Sequence, residues 1–184
     1  HRRDYMNFPG LNRPDLHYKK MNPLTIKGLS LKSSIIKAID SKDFLINTPY
    51  HTFSYVIKFL RESALDPEVK SIKITIYRLS KISNVVSSLI NAARIELQAR
   101  FDETNNIIHA EQLKDAGVEI IFGVPGLKVH SKICVIEKIT NNIKKRYGFI
   151  STGNLNEDTA SLYTDYTLFT SNQKILKESN RIFN

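Results

Sequence analysis

The chain is short of sulfur, of acidic side chains and of long apolar runs, and each shortage narrows what it can be. One residue in 184 is cysteine, Cys134, so no internal disulfide framework can form and a reducing compartment is expected. Cys134 lies in the apolar run ICVI and reads as core. No stretch approaches the roughly 20 apolar residues that span a bilayer, and the opening HRRDYMNFPG lacks the apolar centre of a signal peptide. A cytoplasmic location follows as the expectation, with peripheral membrane association left open. There is no internal repeat and no low-complexity tract. Acids are outnumbered, 18 Asp and Glu against 27 Lys and Arg, which gives a net charge of +9 and favours a polyanionic partner: nucleic acid, a phosphorylated small molecule or a polyphosphate chain.

What is present is ordinary globular material, 41% apolar and 24% charged, enough for one domain with its own core. Residues 1–24 are rich in Pro, Asn, Arg and Tyr without period, and read as a tail or the exit from a preceding domain. Two apolar runs follow, LKSSIIKAI and DFLINTPY. Thr52 is placed to cap a helix through Leu65 with Phe53, Val56, Ile57 and Leu60 on one stripe, ended by Asp66-Pro67. Val69 to Tyr77 alternates as a strand, SNVVSSLINAA reads as a helix capped by Ser83, and Ile95 to Phe101 as a second strand. Asn105 to Ala116 is a helix stopped by Gly117, and VEIIFG a third strand. Two more strands, Lys132–Lys138 and Arg146–Ser151, are joined by the Asn141-Asn142 turn. Thr164–Thr170 is a last strand, and Asn172 caps a helix running to Phe183. This alternation predicts an α/β fold with a parallel or mixed sheet covered on both faces and ligands beyond the strand ends.

The chemistry concentrates between Gly126 and Tyr166. His130 stands two positions before Lys132 on an alternating segment, so strand periodicity puts both side chains on one face, and a second segment brings Thr152, Gly153 and Asn154 to the same place. A neutral imidazole nitrogen can attack phosphorus and carry the group as a phosphoramidate, while a nearby ammonium and a fixed amide donor offset charge on the phosphoryl oxygens. Asp165 is placed either to hold the second nitrogen of His130 or to cap a turn. Glu137 reads as surface, Asp102 and Glu103 as a helix-capping cluster, His51 and His109 as packing or solvent residues, and His1 and His17 as exposed.

The order His130, Lys132, Asn154 resembles the phospholipase D superfamily pattern, His-x-Lys followed by a Gly/Ser-rich turn ending in Asn. A more specific resemblance covers nearly the whole chain. DYMNFPGL, PYHTF at 49–53, IKITIYRLS at 72–80, LQARFDETNNI at 97–107, GLKVHSK at 126–132 and STGNLNEDTASLYTDYTLFT at 151–170 are similar, in order, to the first C-terminal catalytic domain of the long, phosphohistidine-dependent polyphosphate kinases. The resemblance implies a phospholipase D-like mixed sheet over residues 25–184, with 1–24 the end of a middle domain. It also implies that His130 is the phosphorylated nucleophile, with Lys132 stabilising the transferring group and Tyr163 contacting the nucleotide; Asp165 keeps its two readings and Asn154 that of an amide donor to phosphate. Arg78 and Arg100 correspond to two arginines of the family's magnesium–phosphate site. A guanidinium has donors only, so both are read as clamps on phosphate oxygens that also bind Mg²⁺; the alternative for each is a structural ion pair.

The implied reaction is reversible transfer of the ATP γ-phosphoryl group to polyphosphate. Implied partners are ATP or ADP, polyphosphate and the remaining domains of the complete enzyme, which is expected to be a homo-oligomer; neither nucleic acid nor a membrane span is implied. The family enzyme completes its cleft from a second C-terminal domain, so this chain is expected to be a fragment with half a site and little activity alone. Between Ala93 and Ile95 the chain is also shorter than the family pattern. Either this is a true deletion or a loop is missing from the sequence, and the second is expected because losing the start of a central strand would damage the sheet. Two other classes stay open: a phospholipase D-like phosphodiesterase or nuclease, and a non-catalytic polyanion-binding module.

Overall fold

Short polar side chains stand where helices must satisfy their first N–H groups. The computed structural model describes residues 12–16, 19, 21–76, 79–90, 95–99, 104–121 and 130–183. In it Ser34 accepts from Lys37 N to open α1 (Ile35–Ser41). Helix α2 (Ser54–Leu65) begins after Phe53, one residue later than Thr52 was expected to cap it. Phe53 is drawn onto the core, and the Thr52 hydroxyl accepts from the Ser54 N–H at 3.1 Å and donates to the Ser54 hydroxyl at 2.9 Å, a local turn rather than a cap. The Ser83 hydroxyl accepts from Val86 N at 3.3 Å at the start of α3 (Asn84–Ile90). Helix α4 (Thr104–Asp115) stops at Gly117, whose φ of +83° suits a residue without a side chain. Asn156 caps α5 (Glu157–Ala160), a four-residue helix too short to register as a period. Asn172 caps α6 (Gln173–Asn180), after which the chain tightens into a 3-10 turn, Arg181–Phe183.

The strands are β1 (Phe44–Thr48), β2 (Val69–Ile76), β3 (Ile95–Ala99), β4 (Glu119–Ile121), β5 (Lys132–Thr140), β6 (Ile143–Ser151) and β7 (Asp165–Thr170). They form one seven-stranded sheet in the order β1-β7-β6-β5-β2-β3-β4. β2, β3 and β4 run parallel, joined through α3 and α4, and every other pairing is antiparallel. The sheet is therefore mixed. β5 and β6 form a hairpin closed by Asn141 and Asn142 at φ of 50° and 62°, the left-handed pair a two-residue turn needs.

Strand alternation sorts the side chains onto two unequal faces. Cys134, Phe149, Phe169 and Phe44 lie side by side along the sheet and belong to a main core that takes in side chains of α1, α2 and α3 together with Leu113 of α4. Phe59 of α2 stands edge-on to Phe149 and Phe169, with centroids 5.7 and 5.6 Å away, contacts worth about 0.5–1.5 kcal/mol each beyond area burial. On the opposite face Ile133 and Val135 pack against Leu176 of α6 and against Phe183. Helices thus cover both faces, but α6 covers only the β5–β6 part of its side. Leu45 of β1 and Tyr166 of β7 remain 54% and 47% exposed there. Among the described residues, no helix is long and apolar enough to cross a membrane.

Candidate active site

The strand ends set the position of the His-x-Lys pair. Thr75, buried near the end of β2, donates its hydroxyl to the Ser131 carbonyl (2.8 Å) and accepts from Ile133 N (2.9 Å), so the backbone on both sides of Lys132 is pinned to the neighbouring strand. Lys132 is the first residue of β5, and His130 precedes the strand rather than lying on it. The two side chains still meet. Lys132 is 5% exposed, and its Nζ lies 3.0 Å from His130 Nε2, 3.1 Å from Nδ1 and 2.9 Å from the His130 carbonyl oxygen. An ammonium has donors only, and a neutral imidazole has one lone-pair nitrogen. The in-plane directions of the two ring nitrogens diverge, so an ammonium nearly equidistant from both lies against the ring face. It sits beside the nitrogen a nucleophile would use but not on its lone pair, and its bond to the His130 carbonyl holds it there.

A second group arrives from the β6–β7 connection. The Thr152 hydroxyl accepts from Tyr166 N (3.0 Å) and donates to Asp165 Oδ1 (2.8 Å), while Thr152 N donates to the Tyr166 carbonyl (2.9 Å). These bonds carry the pairing of β6 and β7 one residue past the end of β6. Gly153 then packs against the Asp165 carboxylate, where a β carbon would collide. The Asn154 carbonyl accepts from Asn156 N (2.9 Å), and the Asn156 side chain caps α5 through Asp158 N and Thr159 N. Tyr163 N returns to the Thr159 carbonyl at 2.9 Å.

His130, Lys132, Thr152, Gly153, Asn154, Thr159, Tyr163, Thr164 and Asp165 line one open cavity of about 390 Å³. It lies at the edge of the sheet where β2 and β6 end and β5 and β7 begin. Five expected site residues, His130, Lys132, Asn154, Tyr163 and Asp165, thus converge. Arg78 and Arg100 lie outside the described residues, as do Asp102, Glu103, His1 and His17. Asp165 shares the cavity with His130 but takes its hydrogen bond from Thr152.

Other residues resolve into structural roles. Cys134 is fully buried, and that burial pushes its thiol pKa up, which leaves it unreactive. Glu137 is paired with Arg146 (2.7 Å) and Lys144 (3.2 Å) across the β5–β6 hairpin, more enclosed than a surface reading implies. His51 accepts from Asn47 N through Nδ1 (3.0 Å) and closes the turn after β1. His109 is buried and donates from Nε2 to the Ser80 carbonyl (3.0 Å). Sequence reasoning passed over Glu157, whose carboxylate reaches Ser80, Asn84 and Val85. Nothing near it in sequence signals partners more than 70 residues earlier.

Comparison with known proteins agrees with this geometry. Residues 34–184 match the family model described as polyphosphate kinase C-terminal domain 1. Polyphosphate kinases of Yersinia pestis and Escherichia coli K12 are each 42% identical, over 190 and 193 residues, covering 99% of this chain and 28% of the relative. The chain therefore spans little more than a quarter of those relatives. The crystal structure of polyphosphate kinase from Porphyromonas gingivalis matches with a TM-score of 0.84 at 33% identity, over 98% of this chain and 29% of that one. Nuc from Salmonella typhimurium, a phospholipase D family member, matches with a TM-score of 0.57 at 13% identity, over 77% of this chain and 91% of its own; that likeness is one of fold alone. With family model, sequence identity and fold in agreement, the chain belongs to the polyphosphate kinase family, its residues 34–184 corresponding to C-terminal domain 1 on a phospholipase D-like sheet.

Proposed function

We propose that this chain forms the first catalytic half of a phosphohistidine-dependent polyphosphate kinase, in which His130 takes the γ-phosphoryl group of ATP and hands it reversibly to the end of a polyphosphate chain. The observation that carries this reading is the Lys132 ammonium against the imidazole ring of His130, at the wall of a cavity that Asn154 and Tyr163 also line.

In the first transfer the lone pair of His130 attacks the γ phosphorus. A nitrogen–phosphorus bond forms as the bond to the β,γ-bridging oxygen breaks, and ADP leaves with that electron pair. The ring keeps its N–H on the other nitrogen and so carries positive charge, for which Asp165 on the same wall is the nearby carboxylate. In the second transfer a terminal oxygen of polyphosphate attacks the phosphorus and the ring is released neutral. The Lys132 ammonium, already against the ring, offers its donors to the phosphoryl oxygens, where preorganised positive charge lowers the barrier most. Asn154 adds an amide donor and the exposed Tyr163 a face for the nucleotide. Arg78 and Arg100 are assigned to the phosphate oxygens by the family resemblance.

Mg²⁺ is part of this proposal as a companion of ATP. Among the described residues, no three His, Cys, Asp or Glu side chains gather to hold a metal ion, and Asp165 is the one carboxylate on the cavity. The residues fit Mg²⁺ whose other ligands are phosphate oxygens and water, where the ion supplies charge neutralisation.

The cavity is open, and Tyr163 on its wall, Leu162 and Tyr166 next to its lining residues and Leu45 farther along β1 are half exposed. That surface supports a further domain of the complete enzyme seated against β7 and β1, so that the chain alone holds half a site and has low activity. Assembly of the complete enzyme into a cytoplasmic homo-oligomer belongs to the same reading and rests on the resemblance.

The test is His130→Ala in the full-length protein, with γ-labelled ATP. Covalent labelling is expected to vanish; label at the wild-type level would remove His130 as the nucleophile.

A further inference from the structure

The first N–H groups of α3 are closed from the far end of the chain. Glu157 Oε1 accepts from Asn84 N at 2.6 Å and from Val85 N at 3.2 Å, while Oε2 accepts from the Ser80 hydroxyl at 2.8 Å. Ser83 already caps this helix locally through Val86 N, and a cap from the adjoining loop would be the simpler way to satisfy the other two groups. A carboxylate brought from more than 70 residues away does something a local cap cannot: it fastens two loops together.

Those two loops carry residues that the reading above gives to phosphate, Asn154 from its place on the cavity and Arg78 from the family resemblance. Glu157 follows Asn154 by three residues, in a turn held rigid by the bond from Asn156 N to the Asn154 carbonyl and by the Asn156 cap. Ser80 follows Arg78 by two residues in the β2–α3 connection. Ser80 is 5% exposed, and it is gripped twice, its hydroxyl by Glu157 and its carbonyl by Nε2 of His109, itself 8% exposed. The His109 side chain anchors the grip to α4.

We propose that Glu157 is a positioning residue: by tying the Asn154 turn to the Ser80 segment, it sets the spacing of the groups that hold the transferring phosphoryl at His130. The inference rests on the phosphohistidine reading. Glu157 itself does not line the cavity, so its effect passes through Asn154 and the β2–α3 connection. Displacement of a positioned group by about 1 Å costs on the order of a hundredfold in rate, and loss of this tie is expected to fall within that range.

The experiment compares Glu157→Ala, Glu157→Gln and Ser80→Ala with the wild type in the full-length protein. It measures single-turnover labelling from γ-labelled ATP, the KM for ATP, and folding by circular dichroism and thermal melting. Glu157→Ala should slow labelling at saturating ATP about tenfold or more while KM moves little. Glu157→Gln should recover most of the rate. Its amide oxygen can accept from Asn84 N and Val85 N, and its amide nitrogen can donate to Ser80 Oγ, which then turns its own proton to the Ile82 carbonyl, now 2.9 Å away. Ser80→Ala cuts one strand of the tie and should give an intermediate loss; it decides the matter if Glu157→Ala fails to fold. Wild-type rates in Glu157→Ala or, where that variant is unfolded, in Ser80→Ala would overturn the proposal. So would equal losses in the Ala and Gln variants, or a loss matched throughout by the unfolded fraction. His130→Ala separates the two claims: persistent label there sinks the phosphohistidine reading, whereas lost label there with a wild-type rate in Glu157→Ala sinks the role of Glu157 alone.

Discussion

Gly153 lies against the side chain of Asp165 with no room between them. A β carbon at position 153 would overlap the carboxylate and stand 2.7 Å from Asp165 Cβ. The glycine is required by this close approach, because the carboxylate is held over it by the Thr152 hydroxyl at 2.8 Å.

Gly153→Ala should therefore displace Asp165 and break its bond with Thr152. Overpacking of this kind costs about 1–3 kcal/mol, read as a lower denaturant midpoint with an unchanged slope. The two positions are expected to be coupled, so that Gly153→Ala costs less in an Asp165→Gly background than alone. Additive costs in the double variant would show that the crowding is relieved elsewhere.

Lys132 offers a kinetic prediction. Its ammonium is buried beside His130 and anchored on that residue's carbonyl, so Lys132→Met keeps the length of the stem and deletes the charge. Labelling of His130 from γ-labelled ATP should fall about a hundredfold or more, the range seen when one preorganised donor is removed. Lys132→Arg should restore only part of the rate, since a planar fork does not replace a point charge in an enclosed site. Single-turnover labelling at saturating ATP is the measurement, and an unchanged rate in Lys132→Met would assign the charge to another group.

Glu137 carries the pH prediction. Partial burial opposes its ionisation, but hydrogen bonds from Lys144 and Arg146 outweigh that and hold its carboxyl below the usual glutamate range. The unfolded chain binds a proton at this group near pH 4.3, before the folded chain does. The stabilisation is thus present above that pH and is lost as pH falls through the folded value. Glu137→Gln should cost roughly 1 kcal/mol at neutral pH and nearly nothing in strong acid. Melting temperatures of both proteins from pH 7 to pH 3 should converge; a constant gap would mean that packing, not charge, is responsible.

Much of the molecule is written in short stretches. Ser83, Asn172, Gly117 and the Asn141-Asn142 pair act within a few residues of where they stand, through bonds or backbone angles that need no distant partner. The apolar run ICVI placed Cys134 in the core for the same reason. Thr52 misled because the pull of the core on Phe53 outweighed a local cap, and His130 because the strand begins two residues after it.

The sequence by itself determined most of the local elements and the residue types that converge on one cavity, because hydrophobic period and turn chemistry act over a few residues. The mixed sheet was expected from the family resemblance. Only the tertiary structure decided that β1 pairs with β7 at the far edge, that Asp165 bonds Thr152 rather than the imidazole, and that Glu157 closes a helix more than 70 residues before it. Those partners are selected by burial of the whole sheet between its helices, and no window of neighbouring residues contains that information.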